Sequence, residues 1–123
     1  MTEQITYANG STSSIEEGRR WVTTQTGEGW KSLLESLFDD LVGLGWNGEL
    51  HQVKEKFGGL RFYTGGLTQA QSDRVTQAEQ ESYKTCQVCG EPGEPNKDGG
   101  WITTRCVPCR TRETNEDKNG FGN

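Results

Sequence analysis

All four cysteines of the chain sit in two short stretches, Cys86-Gln-Val-Cys89-Gly90 and Arg105-Cys106-Val-Pro-Cys109-Arg110. Thiols in such pairs bind a metal, form disulfides or cycle as a redox centre. Their spacing, C-x2-C-x16-C-x2-C, falls in the window of a four-cysteine zinc site. Each Cys-x-x-Cys turn aims two sulfurs at one point, and two turns complete a tetrahedron. Gly90 supplies the tight turn after the first pair, whose free amides can support the thiolates. A redox Cys-x-x-Cys normally occurs once, beside a βαβ unit, and disulfides need an oxidising compartment. The expectation is therefore structural Zn2+ held by Cys86, Cys89, Cys106 and Cys109. Four thiolates leave no open coordination position for catalysis.

The rest of the chain makes such a staple useful. Only 29% of its 123 residues are hydrophobic, mean hydropathy is -0.87, and 17 residues are glycine. That is one small domain with little apolar surface to bury. Net charge is -5, which disfavours non-specific nucleic-acid binding. Only the middle of the chain is locally basic: residues 51–85 carry five Lys or Arg against four Asp or Glu. The N-terminal Met1-Thr-Glu-Gln-Ile-Thr has neither the basic nor the apolar region of a secretory signal, and no apolar run is long enough to span a membrane. A cytoplasmic protein is expected, in a compartment that keeps thiols reduced.

These residues need elements to position them. Residues 1–27 read as a polar arm, with a short helix opened by the capping-box spacing of Ser14-Ile-Glu-Glu17. Residues 28–85 read as the α+β core. Trp30, Leu33, Leu34, Leu37, Phe38, Leu41 and Leu44 recur at helical intervals and mark one buried face. Two strand-like runs then flank Gly58-Gly59, which predicts a hairpin with those glycines as its turn. That register pairs Phe57 with Leu60, Lys56 with Arg61, Glu55 with Phe62 and Lys54 with Tyr63. Val53, Phe57, Leu60 and Phe62 fall on one face, with Glu55 as outlier. Lys54, Lys56, Arg61 and Tyr63 fall on the other. Thr68-Gln-Ala-Gln71 opens a further helix whose apolar content is thin, so that its anchoring falls to the metal site. Residues 86–112 read as the zinc ribbon or knuckle, and 113–123 are expected as a flexible tail.

Other chemistries fail on residue types. His51 is the sole histidine, with no nucleophile motif to serve and the four cysteines already filling the metal site. A zinc deaminase needs a His-x-Glu element that is absent here, and single-metal nucleases use several histidines. No phosphate loop and no Gly-x-Ser-x-Gly is present. The chain is read as non-enzymatic. Lys54, Lys56, Arg61 and Tyr63, with Arg105 and Arg110 (and Arg112) near the metal, form the candidate binding surface. Three cations around an aromatic can grip phosphates, yet a solvated strand face is the commoner meaning of such a pattern. The four tryptophans read as core filling beside the metal.

The strings Val53-Lys-Glu-Lys-Phe-Gly-Gly-Leu-Arg-Phe-Tyr63, Glu81-Ser-Tyr-Lys-Thr-Cys-Gln-Val-Cys-Gly90 and Gly99-Gly-Trp-Ile-Thr-Thr-Arg-Cys106 resemble a group of small uncharacterised proteins found in phages and bacterial genomes. The resemblance covers about Trp30 to Cys109. It implies a phage or prophage origin and transfers no catalytic residue. A small acidic protein of that origin is expected to bind a host protein of the transcription or immune machinery, by analogy. A nucleic-acid-binding zinc ribbon and a phage structural component are the alternatives.

Overall fold

The computed structural model describes residues 4–98 and 101–109. The fold is α+β: a four-stranded sheet carrying helices, joined to a two-stranded ribbon that holds the cysteines. Residues 4–22, expected as an arm, belong to the first unit. They form β1 (Gln4–Tyr7), β2 (Thr12–Ser14) and α1 (Ile15–Val22). The Ser14 side chain accepts from the Glu17 N–H and the Glu17 carboxylate accepts from the Ser14 N–H, so the capping box fixes where α1 begins. Ile5 and Val22 are fully buried, which is why this polar segment does not stay loose.

A 3-10 turn, Glu28–Trp30, leads into α2 (Lys31–Gly43). Trp30, Leu34, Leu37, Phe38 and Leu41 are fully buried, as the periodicity requires, whereas Leu44 ends up exposed beyond the helix. Gly45, at φ +80°, donates to the Val42 carbonyl and Trp46 donates to the Leu41 carbonyl. That pair of bonds is a Schellman stop, and it turns Trp46 into the core edge-on to Phe38 at 5.5 Å.

β3 (Glu49–Lys56) and β4 (Gly59–Thr64) form the hairpin, and the sheet order is β2-β1-β3-β4 with β1 parallel to β3. The turn differs from expectation. It is Phe57-Gly58, both at positive φ (+54° and +82°), so Lys56 pairs with Gly59, Glu55 with Leu60, Lys54 with Arg61 and Val53 with Phe62. Gly59 is needed inside β4: a Cβ there would lie 2.2 Å from the Tyr83 ring. Because each partner moves by two residues, both faces survive the change. Val53, Leu60 and Phe62 enter the core, but Phe57 leaves it and stands 63% exposed at the tip. Glu55, the outlier on the apolar face, accepts from the Gly58 N–H at 2.7 Å and holds the turn.

α3 (Gln69–Ser82) starts on a second capping box, Thr68 with Gln71. Its anchoring does not come from the metal site alone. Buried Gln71 donates to the Leu44 carbonyl, Arg74 pairs with Asp40 at 2.7 Å, and Val75 and Ala78 complete the core. The helix also covers the open edge of β4. Leu60 N–H donates to Ser82 Oγ at 2.8 Å and Phe62 N–H to Glu79 Oε2 at 3.1 Å. Side chains here replace the next strand, which removes an edge open to mispairing.

Ser82 is fully buried, so Ser82→Ala leaves the Leu60 N–H without a partner. The expected cost is about 1–3 kcal/mol of unfolding free energy, read by denaturant titration. An unchanged midpoint would mean that the edge is not held this way.

Candidate metal centre

Three turns after α3 bring the chain to the first cysteine pair. Cys86 N–H donates to the Glu91 carbonyl and Gly90 N–H to the Cys86 carbonyl, with Gly90 at φ +84°. These bonds close residues 86–91 into a knuckle. β5 (Glu94–Asp98) and β6 (Trp101–Arg105) then form an antiparallel ribbon that delivers Cys106, and a helical turn over 107–109 delivers Cys109. Gln87 ties the two halves together: its N–H donates to the Thr104 carbonyl and its side-chain oxygen accepts the Thr104 N–H at 2.7 Å.

The four sulfurs converge, all within 4.8 Å of one another, and Cys89 Sγ lies 3.5 Å from Cys106 Sγ. A tetrahedral ion with metal–sulfur bonds of about 2.3 Å sets sulfurs about 3.8 Å apart, so the spread suits one ion. Every cysteine is a free thiol; Cys86, Cys106 and Cys109 are buried and Cys89 is exposed. Burial pushes the Cys86 thiol up, but the backbone N–H groups of Cys106, Cys89 and Val88 outweigh it and bring its pKa to about 6. Contact with the Cys106 thiol, then burial and the Cys89 and Cys86 sulfurs, push Cys109 up to about 12. Four touching thiols cannot all lose their protons without a cation among them. These residues are positioned to bind a metal ion.

The rest of the molecule grips this lobe by close backbone contact. Gly29 N–H donates to the Gln87 carbonyl at 2.8 Å and Trp30 Nε1 to the Thr85 carbonyl at 2.9 Å. A Cβ on Gly29 would lie 2.0 Å from the Cys86 carbonyl oxygen and 2.7 Å from the Gly90 nitrogen. On the other side, buried Thr104 donates its hydroxyl to the Gly58 carbonyl at 2.5 Å, which docks the hairpin turn on β6.

No protein-family model, curated protein or solved structure matches this chain.

The remaining candidate residues divide. Lys54, Lys56, Arg61 and Tyr63 do share one face of the hairpin, as the alternation requires. Lys54 Nζ sits 5.8 Å from the Tyr63 ring centroid and Lys56 Nζ 5.5 Å from that of Phe57. Hydrogen bonding to Tyr83 holds Arg61 above its usual pKa range. Arg105 ends β6 opposite Glu94. Arg110, Arg112, the tail and the Trp101 side chain lie outside the described residues. His51 is apart from the thiols, beside Glu49 and a shallow cavity of about 460 Å³ with Tyr7 and Trp21. Trp30 and Trp46 fill the core, and Trp21 packs partly buried against it, edge-on to Tyr7. Phe57 is the surface residue that sequence reasoning missed. Its membership of an apolar alternation hid it, and only the turn's register could have revealed it.

Chelating the metal is expected to lower the melting temperature and to release backbone amides over 84–109 in hydrogen exchange, while those of α2 and α3 stay protected. Cys86→Ser should do the same, and unchanged melting in both would refute a metal role. Gly29→Ala should weaken metal binding and cost about 1–3 kcal/mol of stability, because the contacts it violates are backbone and cannot swing aside. A wild-type metal affinity and midpoint would show that the knuckle is not seated on Gly29.

Proposed function

We propose that the chain is a zinc-stabilised interaction module without catalytic activity, encoded by a phage or prophage, that binds a host protein of the transcription or immune machinery and modulates it. The observation that carries this reading is the convergence of the four thiols. An all-sulfur tetrahedral set suits zinc or an iron–sulfur centre, and in a two-knuckle ribbon of this spacing zinc is the better fit. A saturated zinc performs no chemistry, so its binding energy becomes folding energy.

The non-catalytic reading is supported by what surrounds the site. The only histidine stands elsewhere, and its neighbouring carboxylate, Glu49, is 3.9 Å away on the surface. A protein partner is supported by the tips of the two knuckles. Val88 and Val107, each inside a Cys-x-x-Cys turn, are 40% and 67% exposed. Of the five large apolar residues exposed among the described ones, these two stand at the knuckle tips, where a partner can cover them. The phage origin rests on the resemblance of the Lys54–Tyr63 string. Among the described residues no helix is long and apolar enough to cross a membrane.

Metal analysis of freshly purified, reduced protein should find one zinc per chain. The full, zinc-loaded chain, used as bait in a bacterial host extract, should retain one host protein, and the Val88→Ser/Val107→Ser variant should lose it while melting as the wild type does. Absence of zinc would overturn the cofactor assignment. Equal retention by the variant, or no retained protein, would overturn the knuckle tips as the contact.

A further inference from the structure

We propose that the outer face of the β3–β4 hairpin, from Tyr63 to the tip at Phe57, binds single-stranded nucleic acid, with bases stacked on the two rings and phosphates held by Lys54, Lys56 and Arg61. This face is separate from the knuckle tips and does not depend on the protein-partner reading.

The argument begins with Phe57. A bulky residue at φ +54° is a backbone outlier; Gly, Asn or Asp suits that turn position better. Its ring does not repay the strain by burial, since it is 63% exposed. A residue that is both strained and solvent-facing adds nothing to folding that Asn would not add. Such outliers collect at binding sites, where the surroundings hold them in place. Here the surroundings do so: Glu55 accepts the Gly58 N–H and Thr104 donates to the Gly58 carbonyl.

The cations give the occupant its charge. Elsewhere on the surface Arg19 pairs with Asp39 and Arg74 with Asp40, as expected in a chain of net charge -5. Among the described residues no carboxylate forms an ion pair with Lys54, Lys56 or Arg61. Glu55 points to the opposite face and is engaged by Gly58, and Glu79 is engaged by the Phe62 N–H. Lys54 lies directly across from Arg61, and Lys56 follows about 7 Å along the strand. Each lysine leans over an exposed ring, Tyr63 or Phe57. Arg61 is fixed by its bonds to the Leu60 carbonyl at 3.0 Å and to Tyr83, with Glu79 nearby.

Two lysines without an ion-pair partner, beside Arg61 and next to exposed rings on an open sheet, suit unpaired bases on a phosphate backbone. A duplex hides its bases and would leave the rings idle. An acidic peptide would satisfy the cations and leave the rings equally unused.

The test uses the full, zinc-loaded chain with fluorescent oligo-dT and oligo-U, followed by anisotropy. Three phosphate contacts predict a log–log salt slope of about -2, so affinity should fall about twenty-fold between about 50 and 200 mM salt. Lys54→Ala with Lys56→Ala should reduce the slope to about -0.7. Phe57→Asn and Tyr63→Ala should each weaken binding about five-fold or more. Phe57→Asn should also melt at the same temperature as wild type or higher, because Asn accepts the left-handed conformation, so its loss of binding cannot come from unfolding. The proposal is overturned by no binding at 50 mM salt, by unchanged affinity in both ring variants, by equal affinity for duplex DNA, or by tighter binding of a polyglutamate peptide than of oligo-dT.

Discussion

The contact between Gly29 and the first knuckle is the constraint on which the rest of the molecule hangs. With the Thr104–Gly58 bond, it joins two units that the chain itself connects only through the end of α3. The Gly29 N–H reaches the Gln87 carbonyl, and neighbouring Trp30 buries its ring in the core while its indole N–H reaches Thr85. The helix that fills the core is thereby seated on the same backbone that aims Cys86 and Cys89. Thr104 makes the corresponding link from the other side, between the strand before Cys106 and the hairpin turn. The metal lobe is therefore held to the core at two places, Gly29–Trp30 and the hairpin turn.

A chain with so few apolar residues closes its interior partly with polar ones. Gln71, Ser82 and Thr104 are all buried, and each has its hydrogen bonds made. An unmet polar group at those depths costs about 1–3 kcal/mol, so each of these residues also dictates where its partner must stand. Gln71 fixes α3 against the end of α2, Ser82 fixes it against β4, and Thr104 fixes β6 against the turn. The first two of these contacts do for α3 what its thin apolar stripe cannot.

This division explains which parts were legible in the sequence. The α2 stripe, both capping boxes and the existence of the hairpin follow from local spacing, because each depends on residues close together in the chain, and the convergence of the cysteines follows from the spacing of the two Cys-x-x-Cys pairs. The rest is decided at long range. β1 and β2 are too short and polar to announce themselves, and they exist because Ile5 enters the core and β1 pairs with β3. The anchoring of α3 rests on Leu44, Asp40 and Leu60, none of them near it in sequence.

The hairpin turn shows the same principle at one residue. Local rules choose Gly58-Gly59, since both glycines accept positive φ without cost. The turn instead falls on Phe57-Gly58, where Glu55 accepts from the Gly58 N–H and Thr104 donates to the Gly58 carbonyl. Gly59 serves the close approach of the Tyr83 ring, and the left-handed position falls to Phe57. A non-glycine residue there costs about 1–2 kcal/mol. Glu55 and Thr104 are the contacts that hold this register, both through Gly58. The strain therefore originates in the fold, whereas the identity of the residue does not: the same packing would accept Asn at position 57 with less strain. Only a contact made by the ring itself gives a reason for phenylalanine.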